Sequence, residues 1–353
     1  MTEPALLSNR YQLQQSLGTG GMAIVYLARD LMLERPVAIK ILREDFSNDG
    51  AFRERFRQEA RAAANLSHPN IVTVHDFGLD EGRLFIVMEY MPGPDLKTLI
   101  RQRSPFSIEE TVHLMVQACA GVGYAHRAGL VHCDIKPHNM IVSSDQRLKV
   151  TDFGIARALS SIRPDEKSDV VWGSPQYFSP EQAAGGAPSP ASDVYSLGVI
   201  LYEMLTGRLP FISKDASELA RMHREDMPVP PRQFNPAIPP ALEQIVLKVL
   251  SKEPAARYRT ADQLGHVLMG FASPSDSATV ASPVTAAEAP TTVVPVAPST
   301  WEAPAEAAEA PQTPTDWANL LLGLLAVVAV GGLIPFWLYI YLFFQSNSIL
   351  GIP

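Results

Sequence analysis

Apolar and polar positions along the chain change their period several times, and the changes mark its elements. Tyr11-Gln12-Leu13 opens an alternating run that reaches Leu17, and Val37-Ala38-Ile39-Lys40 is a second. Apolar runs near 71–78 and 83–89, the latter containing Leu84-Phe85-Ile86-Val87-Met88, read as further strands. Between them Phe52, Phe56, Ala60 and Ala63 recur at helical spacing, which predicts a helix with Glu59 beside its apolar stripe. His68-Pro69-Asn70 ends that helix, and Gly93-Pro94 breaks the chain before a short helix from Asp95. Residues 107–128 read as an amphipathic helix, with Ser107 and Glu110 placed as a capping box. Further helices are expected at about 193–206, 215–225, 240–250 and 261–270. Strands thus dominate early and helices late, which is the order of an α+β protein.

After Phe271 the pattern stops. Residues 272–316 hold twelve Ala and eight Pro with no Lys or Arg, and such a stretch buries too little apolar surface to order itself. It reads as a linker. The apolar run that starts at Leu320 and ends at Phe344 (residues 320–344) carries no formal charge. At ~1.5 Å per residue it spans roughly 37 Å, more than the ~30 Å hydrocarbon core of a bilayer. One C-terminal transmembrane helix over 317–344 is therefore expected, with Trp317 at one interface and Tyr341, Phe343 and Phe344 at the other. A tail of residues 345–353 follows, too short for an external sensor domain. Neither flank offers Lys or Arg to orient the helix.

Composition narrows the partners. The formal charge of -8 is unevenly placed: every Lys and Arg lies at or before Arg259, while six acidic residues follow Phe271. The ordered part is close to neutral and has no basic stripe, which argues against nucleic acid. Two cysteines, Cys119 and Cys133, make no disulfide framework and suit a reducing compartment. The first thirty residues hold no signal-peptide pattern.

The candidate chemistry lies in three stretches. Gly18-Thr19-Gly20-Gly21-Met22-Ala23-Ile24-Val25 sits between two strand-like runs, with Gly18 22 positions before Lys40. A GxG alone is more often an ordinary turn, and it is this placement that favours a loop whose backbone amides approach phosphates. His132-Cys133-Asp134-Ile135-Lys136-Pro137-His138-Asn139 comes next, and Asp152-Phe153-Gly154 follows 18 positions after Asp134. The third is Gly173-Ser174-Pro175-Gln176-Tyr177-Phe178-Ser179-Pro180-Glu181. These motifs match, in order, the loop-and-DFG template of phosphoryl transfer.

On these residues the chain resembles the bacterial eukaryotic-like (Hanks-type) serine/threonine protein kinases, over residues 11–271. The resemblance implies a two-lobed protein-kinase fold, with a small β-rich N-lobe (11–91) and a large helical C-lobe (92–271), residues 1–10 being a polar lead-in. It also implies ATP and Mg2+ as cofactors, with Mn2+ as the alternative ion. Asp134 would accept the substrate hydroxyl proton, and Lys136 would offset charge on the transferred phosphoryl. Asn139 and Asp152 would supply metal oxygens. Lys40, paired with Glu59, would hold the α- and β-phosphates. Leu17, Gly18, Thr19, Gly20, Gly21, Val25 and Ala38 would enclose the nucleotide. Met88 would guard the back of its pocket, Glu89 and Met91 would offer hinge backbone, and Ile141 would floor the adenine site. Glu181 should pair with Arg257, and Asp193 should bind the catalytic-loop backbone.

Four positions depart from the family pattern. Ala23 replaces the third glycine, Ser174 stands in the Thr position that marks Ser/Thr specificity, and Ser179 replaces Ala. Cys133 stands where most kinases have Arg, whose charge ordinarily holds a phosphorylated activation loop, so control by phosphorylation at sites such as Ser160, Ser161 or Ser168 is put in doubt. The expected function is ATP-dependent phosphorylation of protein Ser/Thr hydroxyls by a single-pass cell-membrane kinase. The kinase domain would be cytoplasmic, because ATP is there, and the C-terminus outside; a homodimer is an admissible partner. The competing class is a pseudokinase scaffold that recruits partners without phosphorylating them.

Overall fold

The computed structural model of the chain describes residues 6–21, 23–43, 50–153 and 175–272, without the side chains of 51–53, 55, 56, 58, 59 and 272. The expectations placed on the side chains of Glu59, Phe52 and Phe56, on residues 154–174, and on the linker and apolar run after 272 lie outside this description. Among the described residues no helix is long and apolar enough to cross a membrane.

Six strands form one antiparallel sheet: β1 Leu6–Leu7, β2 Tyr11–Thr19, β3 Ala23–Asp30, β4 Arg35–Leu42, β5 Val74–Asp80 and β6 Arg83–Glu89, in the order β1-β2-β3-β4-β6-β5. Central β4 uses its two-residue period on both faces. Val37, Ile39 and Ile41 pack with Leu7, Tyr11, Phe85 and Val87 on one side. Ala38 and Leu42 pack with Ala60, Ile86 and Met88 on the other. Alternation puts Lys40 on this second face, where it is almost entirely buried. The helix α1, Gly50–Ala64, contributes Ala60 to the same cluster.

Two details at the sheet edge differ from the sequence reading. The lead-in is not wholly polar chain outside the sheet, because Leu6 and Leu7 pair with Gln12 and Tyr11 and Leu7 is buried. The strand expected from residue 71 begins only at Val74. Ile71 and Val72 are engaged elsewhere, Ile71 bridging Val150 and Val72 donating its N–H to the Val150 carbonyl at 2.9 Å.

The second lobe is helical: α2 Leu96–Arg103, α3 Ile108–Arg127, α4 Pro180–Ala183, α5 Pro190–Thr206, α6 Ala216–Glu225, α7 Pro240–Val249 and α8 Ala261–Ala272. A hairpin of β7 Met140–Val142 and β8 Leu148–Val150 joins them. Every residue of α5 from Ser192 to Thr206 is buried, so α5 is the axis on which the lobe is built. A Cβ on Gly198 would stand 2.3 Å from Val249 Cγ1, so glycine is what lets α7 approach α5. Helix α5 starts at Pro190, three residues before the expected boundary, because Pro is well suited to a first turn that lacks N–H acceptors.

The Ser107 hydroxyl does cap α3, accepting from the Glu110 N–H at 3.1 Å. The reciprocal half of the expected box differs: Glu110 Oε1 lies 2.7 Å from Arg103 Nη2 on α2. An ion pair to a neighbouring helix has replaced the local bond.

Candidate active site

The glycine stretch forms the β2–β3 hairpin. Gly18 pairs with Val25 and Thr19 with Ile24, and Gly20 closes the turn by donating to the Ala23 carbonyl at 2.8 Å. Leu17, Gly18, Val25 and Ala38 form the upper wall of a cavity of about 280 Å3. Met88, Glu89, Met91 and Ile141 line it from the hinge and the hairpin below. Thr19, Gly20 and Gly21 are exposed at the hairpin tip and form no part of that wall. Behind Met88 a smaller apolar space is lined by Ala60, Ala63, Ile71 and Phe153.

The polar end of the cavity is set by Asp152, in left-handed backbone at φ 65°. Lys40 Nζ lies 2.8 Å from Asp152 Oδ1. Burial opposes the charged carboxylate, but the Lys40 ammonium outweighs it and holds Asp152 below the usual range.

Asp134 is held from several sides. Lys136 Nζ is 2.6 Å from its Oδ2. Asn139, in a 3-10 turn Pro137–Asn139, donates Nδ2 to the Asp134 carbonyl at 2.9 Å. That commits the amide nitrogen and leaves Asn139 Oδ1 as the end able to meet a cation. Asp134 also donates its N–H to His132 Nδ1 at 3.3 Å, so His132 Nε2 carries the proton given to the Thr151 carbonyl at 2.9 Å.

Asp193 on α5 anchors the loop, as the resemblance implies. Its carboxylate accepts from the His132 N–H at 2.8 Å and the Cys133 N–H at 2.9 Å. His126 Nε2 adds a third bond at 2.8 Å, its Nδ1 being taken by the Ala261 N–H. Cys133 itself is buried, with φ 67° and its thiol 3.5 Å from the Val131 carbonyl. Glu181 meets Arg257 through two parallel bonds of 2.9 Å, and its carboxyl is held low: burial would raise it, but Arg257 and Ser192 prevail.

Several contributors were not singled out in the sequence. Val72, Tyr90, Asp95, His138 and Thr151 also line the cavity. Asp95 was visible as a helix start, and its side chain caps α2 by accepting from the Thr98 N–H at 2.6 Å. Glu89 is tied to β8 by Lys149 at 2.8 Å. Lys97 of α2, Tyr177 and Glu203 of α5 converge, with Lys97 Nζ 2.6 Å from Glu203 and Tyr177 donating to it at 2.7 Å. Burial first, and Glu203 second, push the Tyr177 hydroxyl pKa up. Nothing local in the sequence joins residues 97, 177 and 203.

The family model for the protein kinase domain matches residues 11–269. The chain belongs to the protein kinase family. Among curated relatives, this kinase is 45% identical over 258 residues to the serine/threonine-protein kinase PrkC of Bacillus subtilis, covering 73% of this chain and 40% of that one. It is 44% identical over 268 residues to the serine/threonine-protein kinase PknB of Mycobacterium leprae, covering 75% and 43%. The chain thus spans less than half the length of these relatives. The solved kinase domain of Mycobacterium tuberculosis PknI aligns with a TM-score of 0.62 at 27% identity, covering 76% of this chain and 99% of that domain. The sheet and the helical bundle around α5 are accordingly the two lobes of the kinase fold. Protein kinases as a family use ATP and a divalent metal.

Proposed function

We propose that this kinase transfers the γ-phosphoryl group of ATP to Ser or Thr hydroxyls of proteins, at the cytoplasmic face of a membrane. One observation carries the chemical part: a cavity apolar at its hinge end meets Asp152, paired with Lys40, at its polar end. The loop bearing Asp134 and Asn139 is locked to the same lobe core through Asp193.

In this reading adenine lies among Ala38, Met88, Met91 and Ile141, and the phosphates lie towards Lys40. Asn139 Oδ1 and the Asp152 carboxylate are hard oxygen donors that fit Mg2+, with Mn2+ as the alternative. The ion, when bound, neutralises phosphate charge. Lys40 leaves Asp152 for phosphate oxygens. Asp134 takes the hydroxyl proton, and Lys136 balances charge beside it.

The membrane part rests on the uncharged run of residues 320–344. Such an anchor raises local concentration and favours encounters between two copies. Deleting residues 317–353 should release the protein from membrane pellets, and a truncated protein still pelleting would refute the anchor.

The chemistry is tested by incubating the full-length protein with γ-labelled ATP, Mg2+ and a mixed protein acceptor, then identifying the labelled amino acids. Phosphoserine and phosphothreonine are expected. Nucleotide binding without any transfer would establish the scaffold reading instead.

A further inference from the structure

The residue preceding Asp134 is held at both of its backbone polar atoms, from two different helices. The Cys133 N–H goes to Asp193 on α5. Its carbonyl accepts from Gln182 Nε2 on α4, at 2.8 Å. This matters because Cys133 sits at φ 67°, a left-handed conformation uncomfortable for a residue with a Cβ. Such a conformation persists only where its surroundings over-determine it.

The orientation of the Gln182 amide is not arbitrary. Its Oε1 accepts from the N–H of Ser179 at 3.1 Å and from the Ser179 hydroxyl at 3.0 Å, completing a capping box at the start of α4. With the oxygen committed there, the nitrogen must face Cys133. The helix carrying it is fixed in turn, since neighbouring Glu181 is clamped by Arg257 and accepts from Ser192 Oγ at 2.6 Å. Ser179 is fully buried.

We propose that Gln182 is a positioning residue for Asp134: it reports the placement of α4 to the catalytic loop through the Cys133 carbonyl. Where a family Arg would bring a charged side chain at position 133, this chain has a thiol, which donates to the Val131 carbonyl. Gln182 acts on the main chain and needs no charge at 133. If α4 moves, the Cys133 carbonyl loses the bond it accepts, and the Asp134 carboxylate loses its bearing on the incoming hydroxyl. The inference rests on the phosphoryl-transfer reading given above.

The test separates the two ends of the amide in the full-length protein. Gln182→Glu keeps an oxygen for the Ser179 capping box, since Glu serves there as well as Gln. It removes the donor to Cys133. Gln182→Met removes both. The expected result for Gln182→Glu is a kcat about tenfold lower, equivalent to about 1.4 kcal/mol of barrier, with KM for ATP unchanged and a smaller loss of thermal stability than in Gln182→Met. The deficit relative to the parent should shrink as pH is lowered, because the introduced carboxyl, once protonated, can again donate to the carbonyl. Gln182→Met should show a deficit that does not change with pH, together with lower stability. Amide hydrogen exchange provides a readout that needs no turnover: the Cys133 and Asp134 amides should exchange faster in Gln182→Glu, while those of α4 stay protected. Parental kcat in Gln182→Glu, a deficit insensitive to pH, or unchanged exchange at 133 and 134 would each overturn the proposal. A parent protein without transfer activity would refute the kinase reading, and exchange alone would then decide the role of Gln182.

Discussion

Asp193→Asn changes one atom type at a buried position that bears on catalysis without touching substrate. Three donors converge on the carboxylate: the His132 and Cys133 amides and His126 Nε2–H. None of them can reverse, since two are backbone and the His126 tautomer is set by the Ala261 N–H on Nδ1. Two of the three meet at Oδ2, so the best Asn placement keeps its oxygen there and turns its NH2 towards the Cys133 N–H. A donor then faces a donor. A buried unsatisfied N–H costs about 1–3 kcal/mol, and the two surviving bonds lose their charge assistance. Removing a buried charge offsets part of that, leaving a net loss of about 3 kcal/mol. Cys133, at φ 67°, is the residue released, so the Asp134 side chain loses its fixed base. Denaturant unfolding and steady-state phosphoryl transfer read the two consequences. Stability should fall by about 3 kcal/mol and kcat by at least tenfold, with KM for ATP little changed. A variant within about 0.5 kcal/mol of the parent and with parental kcat would refute the argument that Asp193 holds the loop.

Three further outcomes follow from particular residues. Lys40→Met should abolish most transfer and also free the Asp152 carboxyl to titrate higher, since the ammonium that holds it down is gone; near-parental turnover would remove Lys40 from the site. His223 is buried beside Tyr195, and burial first, then Lys252, lower its pKa from 6.5 to about 4. Its folded pKa lies below the unfolded one, so its stabilisation is complete above pH 6.5 and drains away as pH falls towards 4, by about 3 kcal/mol. His223→Gln should flatten that slope in urea titrations run from pH 7 to pH 4.5, and an unchanged slope would contradict it. Finally, with Cys133 in place of Arg, phosphatase treatment should leave most turnover intact, and a hundredfold drop, about 2.7 kcal/mol of barrier, would show that a phosphorylated loop finds another cation.

What could be read from the chain depended on how far apart the cooperating residues lie. The alternation in Val37-Ala38-Ile39-Lys40 put Lys40 on the same face as Ala38, because a strand has only two faces, but only the folded chain shows that face buried as well as the other. The ordered motifs were enough to expect Asp193 under the catalytic loop and Arg257 on Glu181, and both contacts are present. Three-residue β7 and β8 left no periodic signal, and only their pairing in the folded chain, with each other and with Ile71 and Asp95, makes them strands. Asp95, His138 and Tyr90 reach the cavity from separate elements, so only the folded chain brings them together. Glu110 satisfied a local capping pattern on paper and yet joined Arg103, since tertiary packing offered it a charged partner. Gln182 was hidden for the same reason: its partner is a backbone carbonyl 49 residues away, and a carbonyl has no letter in a sequence.

The central claim is that Asp134 is the base of a working phosphoryl-transfer site. Single-turnover transfer from labelled ATP by Asp134→Asn, measured beside its ATP binding, tests it most directly. ATP affinity and thermal stability should stay close to the parent, with the transfer rate reduced at least a hundredfold, about 2.7 kcal/mol. Transfer at the parental rate with ATP bound would contradict it.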